Sequence, residues 1–241
     1  MTAPTTWVLL PGLDGTGTLF EPMLRSIPPE ILAVIVSYPL RSPSTASELI
    51  DIIWAALPEQ QDYIIVAESF SGPLALRVAG ERPRGMRALI LCASFAEAPM
   101  AARLYPLFSL TIPILKSLRI PAWLMRWCLV GKTSVELLEK IRFAIDLLTA
   151  EALASRFKVL REFKKTFAPL TLDLPVLYIR PVQDRLVRQR DIDLLKDRYP
   201  ELEVQEIESP HLVLQCRAKE AVILVSDFVL RRITNGESET G

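Results

Sequence analysis

Short apolar runs alternate along the chain with segments whose apolar residues recur at helical spacing. The apolar runs predict strands that are buried on both faces, because few polar residues interrupt them. Strands are predicted at residues 7–10, 31–37, 63–67, 88–93, 176–179 and 203–207, and helices at residues 19–26, 44–57, 74–79, 191–199 and 218–231. This alternation indicates an α/β domain with a mostly parallel central sheet of about six strands flanked by helices.

The alternation of strands and helices stops between residues 97 and 169, where prolines divide a helical region into short pieces. The first half of this region is strongly apolar, and the second half is amphipathic, with its basic residues predicted on a solvated face. Those basic residues are Lys140, Arg142, Arg156, Lys158, Arg161, Lys164 and Lys165. We therefore divide the chain into a core of residues 1–96 and 170–235, a helical insertion of residues 97–169, and a polar tail of residues 236–241 that is predicted to be disordered.

Residues 64–76 predict a strand, a sharp turn and a helix, with Ser69 at the turn. A serine at such an apex must adopt a strained backbone conformation, so small residues are needed two positions before and after it. Ala67 and Ser71 meet that need. The hydroxyl would then stand clear of the sheet, and the amides of the helix N-terminus would face negative charge that develops beside it. The alternative is an N-capping serine at an ordinary turn.

The loop after the first strand, residues 11–17, contains three glycines that allow a ligand to approach the backbone closely. A dinucleotide-binding fingerprint would need a third glycine where Phe20 stands, and a phosphate-binding P-loop would need a lysine that the sequence lacks here. Phosphate binding is therefore the less favoured alternative to a catalytic loop.

A serine hydroxyl is a weak nucleophile at neutral pH and needs a base within hydrogen-bond reach. The chain contains one histidine, His211, in the loop after the last predicted strand. Asp184 follows a buried strand and precedes His211 by one helix and one strand, so it can rise from the same edge of the sheet. Its competitors, which could equally be solvated charges or helix caps, are Asp173, Asp191, Asp193 and Glu208. Glu68 adjoins Ser69, but side chains alternate along a strand, so we expect it to point away from a substrate.

The elbow and the order of Ser69, Asp184 and His211 resemble the α/β-hydrolase family. Ala67 and Ser71 replace the glycines of the family's G-x-S-x-G elbow, and Pro181 stands where the family usually has glycine. The loop at residues 11–17 is similar to that of plant phytyl ester synthases.

The resemblance implies an α/β-hydrolase fold with a catalytic triad and an oxyanion hole. The N–H groups of Leu13 and Phe70 would form this hole, and residues 97–169 would be a helical cap that roofs the site. The residues expected to bind substrate are Gly12, Asp14, Leu104, Phe108 and Trp123. No metal and no cofactor are needed for this chemistry.

The amino-acid composition narrows the classes of ligand and the cellular compartment that we expect for the protein. Lys and Arg number 28, as do Asp and Glu, so no net field attracts nucleic acid, and a neutral small molecule is the expected ligand. Three cysteines, Cys92, Cys128 and Cys216, form no spaced pair, which argues against a zinc site and a disulfide framework and favours a reducing cytoplasm. The sequence has no apolar run long enough to span a membrane and no N-terminal signal pattern, so a cytoplasmic location is expected.

The sequence therefore predicts a serine hydrolase that cleaves carboxylic esters of hydrophobic acyl groups. The same residues would serve thioesters, lactones or acyl transfer to an alcohol, and the sequence does not choose among them. Two other interpretations stay open: a non-catalytic protein that binds an apolar ligand, and a helix set that docks on a membrane surface or a partner. The apolar cap also makes a homodimer through this region conceivable.

Overall fold

The computed structural model describes residues 6–98, 121–131, 135–163, 167–169 and 171–234. Within them, six strands form one sheet in the order β2-β1-β3-β4-β5-β6, and every neighbouring pair is parallel. The strands are β1 (Thr6–Leu10), β2 (Leu32–Ile35), β3 (Tyr63–Glu68), β4 (Met86–Cys92), β5 (Val176–Pro181) and β6 (Glu203–Ile207). The prediction of a largely parallel sheet of about six strands is thus confirmed.

Helices cover both faces of the sheet. In chain order they are α1 (Glu21–Leu24, preceded by a 3-10 turn at Thr18–Phe20), α2 (Ala46–Ala56), α3 (Ser71–Gly80), α4 (Ala122–Met125), α5 (Val135–Asp146), α6 (Ala150–Glu162), α7 (Gln189–Arg198), α8 (Val213–Cys216) and α9 (Ala218–Val229). A π-helical turn, Arg126–Val130, continues α4, and another, Leu230–Thr234, continues α9. No helix in the described ranges is long and apolar enough to cross a membrane.

Alternate residues of the central strands enter two separate apolar clusters, as the period of two along a strand requires. In β3, Ile65 and Ala67 pack with α2 and α3, whereas Ile64 and Val66 pack with α1 and α9 on the opposite face. Both faces are buried, which explains why these strands appear in the sequence as almost uninterrupted apolar runs.

The ends of several predicted elements shift. The helix predicted at residues 19–26 is a 3-10 turn followed by the single turn α1, with Pro22 in its first turn. Helix α2 begins after Thr45, whose hydroxyl accepts from the Glu48 N–H while the Glu48 carboxylate accepts from the Thr45 N–H. This reciprocal cap determines the N-terminus of α2 more sharply than the apolar periodicity does.

The described parts of residues 97–169 contain helices and no strand, as the sequence predicts. Helices α4 and α5 and the π-helical turn between them share a small apolar cluster with Leu19 and Leu212, which belong to the core. The insertion therefore packs directly on loops at the carboxyl ends of the strands.

Candidate active site

Ser69 lies between β3 and α3 with a φ of 47°, in the left-handed region that non-glycine residues rarely adopt. Its backbone is held on both sides: the Ser69 N–H donates to the Cys92 carbonyl at 2.9 Å, and the Ser94 hydroxyl donates to the Ser69 carbonyl at 2.7 Å. A Cβ on Gly72 would lie 1.7 Å from Ser94 Oγ. At this elbow the chain comes closest to Ser94 at position 72, which therefore needs glycine, whereas position 71 carries a side chain.

Ser71 makes side-chain hydrogen bonds on both sides of its hydroxyl. The hydroxyl donates to the Pro11 carbonyl and accepts from the Tyr38 hydroxyl at 2.6 Å, and all of these groups are buried. These bonds join the first turn of α3 to the loop that follows β1. A serine at the usual glycine position thus connects the elbow to the glycine loop.

His211 connects the Ser69 hydroxyl to a carboxylate. Its Nε2 lies 3.0 Å from Ser69 Oγ, and its Nδ1 lies 2.8 Å from Asp184 Oδ2. The side chains of His211 and Asp184 are only 5% and 4% exposed. A neutral imidazole that donates from Nδ1 to Asp184 leaves Nε2 free to accept from Ser69. This is the arrangement in which a base can remove the hydroxyl proton.

Asp184 is held in place by its second oxygen. Its Oδ1 accepts from the N–H groups of Leu186 and Val187 at 2.8 and 3.1 Å, which closes the turn after β5. The competing carboxylates have other partners: Asp173 pairs with Arg82, Asp191 caps α7, Asp193 accepts from Gln189, and Glu208 accepts from Gln183. Of these five acidic residues, the structure brings Asp184 to the histidine.

The loop after β1 places Leu13 in a tight turn, since the Gly15 N–H donates to the Gly12 carbonyl at 3.1 Å. Phe70 precedes the first turn of α3, where N–H groups have no intrahelical acceptor. Asp14 folds back on its own loop and accepts from the N–H and the hydroxyl of Thr16 at 2.9 and 2.6 Å. Leu13 and Phe70 thus stand on the two loops that an oxyanion hole requires, and their role in it stays a prediction.

Arg156, which the sequence predicts on a solvated face, is buried in the structure with 1% exposure. It extends from α6 to the loop after β1 and lies 5.9 Å from the centre of the Tyr38 ring. Burial lowers the pKa of Arg156 to about 10, although Asp14 and Tyr38 act in the opposite direction, so the group stays charged at neutral pH. The prediction was wrong because the buried guanidinium finds backbone carbonyls, those of Leu13 and Pro39 among them, as acceptors in place of water.

Glu68 is also buried, with 1% exposure, and the expectation that it points away from a substrate stays a prediction. It accepts from Gln215 Nε2 at 3.3 Å, and its Oε2 lies 3.7 Å from the position of a Cβ on Gly12. Burial, and next the charge of Asp14, raise the pKa of Glu68 to about 7, whereas His211 and the Gln215 amide lower it. Glu68 is therefore a buried ionisable group next to Ser69 in the sequence, in contact with Gln215.

The insertion contacts the loops that carry Asp184 and His211. Arg185, next to Asp184, donates to the Trp127 carbonyl at 2.7 Å and lies 4.7 Å from the Trp127 ring centre. The N–H of Leu212, next to His211, donates to the Leu129 carbonyl at 3.1 Å. The π-helical turn thus supplies one carbonyl to each of these loops.

Of the three residues of the insertion that are predicted to bind substrate, the structure describes one. Leu104 and Phe108 lie outside the described residues. Trp123 lies on α4 and is 69% exposed. A role of these three residues in binding an acyl group stays a prediction.

The sheet order, the elbow and the loops at the carboxyl ends of the strands define an α/β-hydrolase fold. Three solved structures share it over nearly the whole chain. An esterase from Thermogutta terrifontis has a TM-score of 0.77 at 16% identity and covers 96% of this chain and 91% of its own. The enol-lactonase from Burkholderia xenovorans has a TM-score of 0.76 at 17% identity, with 95% and 92% covered. The esterase from Exiguobacterium antarcticum has a TM-score of 0.76 at 10% identity, with 95% and 93% covered.

The sequence comparisons add no nearer relative. No family model matches the sequence, and no curated protein is significantly similar to it. At these identities the structural likeness defines the fold, and the function must be argued from the side chains.

Proposed function

We propose that this protein is a serine hydrolase that cleaves carboxylic esters of hydrophobic acyl groups through an acyl-enzyme on Ser69. The observation that carries the proposal is the continuous line from Ser69 Oγ to His211 Nε2 and from His211 Nδ1 to Asp184, at an elbow with φ 47°. An N-capping serine needs no base, no buried carboxylate and no strained backbone. The esterases and the enol-lactonase among the structural neighbours support the same class of activity.

In the proposed reaction, Ser69 Oγ attacks the ester carbonyl while His211 Nε2 takes its proton. The imidazolium then returns the proton to the leaving alcohol oxygen, and the acyl group remains on Ser69. A water molecule then attacks the acyl-enzyme carbonyl while His211 Nε2 takes its proton, and the imidazolium returns that proton to Ser69 Oγ as the bond to the acyl group breaks and the acid leaves. Asp184 keeps the proton on Nδ1 before the attack and stabilises the imidazolium afterwards.

The tetrahedral intermediate carries a negative oxygen that needs preorganised donors. The N–H groups of Leu13 and Phe70 are our candidates, since they lie on the loops on either side of Ser69. Loss of one such donor typically costs about 100- to 1000-fold in rate. Gly12 and Asp14 complete the loop that faces the substrate carbonyl in this proposal.

We assign residues 97–169 as a cap over this site, in which Leu104, Phe108 and Trp123 bind the apolar part of the ester. The contacts of the insertion with the Asp184 and His211 loops support the assignment. An apolar cap favours hydrophobic acyl groups because their burial gains roughly 0.8 kcal/mol per CH₂. The proposed reaction uses side chains and backbone N–H groups and needs no cofactor, and its expected substrate is a neutral, small-molecule ester.

The direct test is labelling with a fluorophosphonate, combined with hydrolysis of p-nitrophenyl esters of increasing chain length. Ser69→Ala should abolish labelling, and Ser69→Ala and His211→Ala should each lower ester turnover by up to about a million-fold. Asp184→Asn should cost about 10,000-fold, because it stabilises the wrong tautomer of His211. Ser47→Ala, which removes an exposed hydroxyl on α2, is the matched control. Wild-type protein that neither labels nor turns over an ester would refute the proposal and favour a binding protein.

The acyl acceptor and the leaving group are a separate question for the same site. Product analysis with a lipid alcohol present distinguishes water from the alcohol as acceptor. A thioester of equal chain length tests the leaving group. Ester hydrolysis should dominate in both experiments if the proposal is correct.

A further inference from the structure

A charged side chain of the insertion reaches the loop that the proposed oxyanion hole uses. Arg156 leaves α6 on the face that also carries Ala152, Ser155 and Val159, and its guanidinium is buried against residues 13–15 and 38–39. A buried guanidinium must find acceptors for its N–H groups, since it cannot lose its charge at neutral pH. The hydrogen-bond acceptors of Arg156 therefore show which parts of the chain this side chain holds in place.

The guanidinium of Arg156 donates to backbone carbonyls. Arg156 Nη1 donates to the Leu13 carbonyl at 2.6 Å and to the Asp14 carbonyl, and Nη2 donates to the Pro39 carbonyl at 3.0 Å. Charge-assisted donors of a planar fork hold such carbonyls more firmly than neutral donors do. Two consecutive peptide groups of the loop are thereby oriented by one side chain.

These peptide groups lead directly to the proposed oxyanion donor. The Asp14 carbonyl belongs to the same peptide plane as the Gly15 N–H, and that N–H donates to the Gly12 carbonyl. The Gly12 carbonyl in turn shares a peptide plane with the Leu13 N–H. The orientation of the Leu13 N–H is thus linked to the guanidinium through two hydrogen bonds and two planar peptide groups.

Glycine at position 15 makes the arrangement possible. Its φ is +66°, and a Cβ there would lie 2.5 Å from Arg156 Nη2. The Gly15 carbonyl also accepts from the Tyr38 N–H at 2.8 Å, which anchors the far side of the loop. The loop is therefore fitted to the guanidinium.

We propose that Arg156 is a positioning residue that orients the Leu13 N–H for oxyanion stabilisation, so that the helical insertion takes part in building the catalytic site. This inference rests on the proposed serine hydrolase function. It predicts an effect on the transition state, since a misdirected Leu13 N–H weakens binding of the oxyanion more than binding of the neutral ester.

The experiment compares Arg156→Met and Arg156→Lys with Arg161→Met, which removes an exposed arginine from the same helix. Sites are counted by fluorophosphonate titration, so that misfolded molecules do not contribute to kcat. We expect Arg156→Met to lower kcat per titrated site about 10- to 100-fold, because part of one oxyanion donor is lost, while KM changes less than about threefold. Inhibition by a trifluoromethyl ketone, which forms a tetrahedral adduct, should weaken in parallel. Arg156→Lys should lie between Arg156→Met and wild type.

A purely structural role gives a different result. It would reduce the titratable fraction and the melting temperature while kcat per titrated site stays within twofold of wild type, and that outcome overturns the inference. If Arg156→Met yields no folded protein, Arg156→Lys decides by the same criterion, and Arg156→Ala assayed with added methylguanidinium should regain kcat. Wild-type protein without labelling or turnover refutes the proposed function itself, whereas unchanged kcat per site in the Arg156 variants refutes only the positioning role.

Discussion

The buried carboxyl of Glu68 should make the protein less stable as the pH rises. Glu68 lies among Asp14, Gln215, His211 and Cys92, and one of its oxygens, Oε1, has no hydrogen-bond partner within the described residues. Gln215 Oε1 is likewise buried there without a donor. A protonated Glu68 carries a donor that such an acceptor needs, whereas an ionised Glu68 is a buried, unpaired charge. Glu68→Gln keeps the shape and stays neutral at every pH.

The magnitude follows from the pKa. Burial, and next Asp14, raise the pKa of Glu68 from 4.5 to about 7, so between these values the native state binds more protons than the unfolded state. The free energy of unfolding therefore falls as the pH rises through this window, and it stays lower above it. A difference of about 2.5 pKa units corresponds to about 3 kcal/mol. For a chain of this length that is a melting-temperature difference of roughly 6–12 °C.

The assay is urea unfolding of wild type and Glu68→Gln at intervals from pH 4 to pH 8. The difference between the two proteins cancels the other ionisable groups. We expect it to be constant below pH 4.5 and to grow in favour of Glu68→Gln by about 3 kcal/mol up to pH 8. Glu59→Gln, at an exposed position, should show no such growth. A difference that does not change between pH 4.5 and pH 8 would refute the account of Glu68.

Two further predictions concern packing around Ser69. Gly72→Ala should destabilise the protein by about 1–3 kcal/mol, because the new methyl group would lie 1.7 Å from Ser94 Oγ. Adding Ser94→Gly in the same chain should recover part of this loss. Thermal unfolding of the single and the double variant measures both effects. Phe163→Ala should cost about 3–5 kcal/mol in urea unfolding, since the buried Phe163 ring packs against Phe70 at 5.8 Å and Phe167 at 4.8 Å between ring centres. The exposed Phe143→Ala on α5 should change stability by less than about 0.5 kcal/mol, and equal losses in the two phenylalanine variants would contradict the packing argument.

The fold was predictable from the sequence because its strands are buried on both faces. Residues 64–67 have one face toward α2 and α3 and the other toward α1 and α9, so the run must be apolar throughout. The candidate site was predictable for a related reason: the chain has one histidine, and the loops after parallel strands meet at one edge of the sheet. Proximity of Ser69, Asp184 and His211 follows from topology, whereas their catalytic roles await experiment.

Arg156 was mispredicted because charge was taken as a sign of solvent exposure. The spacing of Ala152, Ser155, Arg156 and Val159 places all four on one helix face, and this pattern could have indicated burial. No pattern in the sequence indicates which carbonyls the guanidinium finds. For Glu68, the alternation rule gives the face of β3 from which the side chain leaves, whereas its contacts with Gly12 and Gln215 depend on loops and helices far away in the sequence.

The π-helical turn at Arg126–Val130 has a consequence for how an ester would enter the proposed site. Its carbonyls at Trp127 and Leu129 accept from the neighbours of Asp184 and His211, so lifting this turn away from the sheet would remove one anchor from each of these two loops. While the turn is lifted to admit a large ester, Ser69, His211 and Asp184 would then not be aligned for proton transfer. In the proposed enzyme, a molecule that opened there would be inactive until the turn closed again over the bound ester.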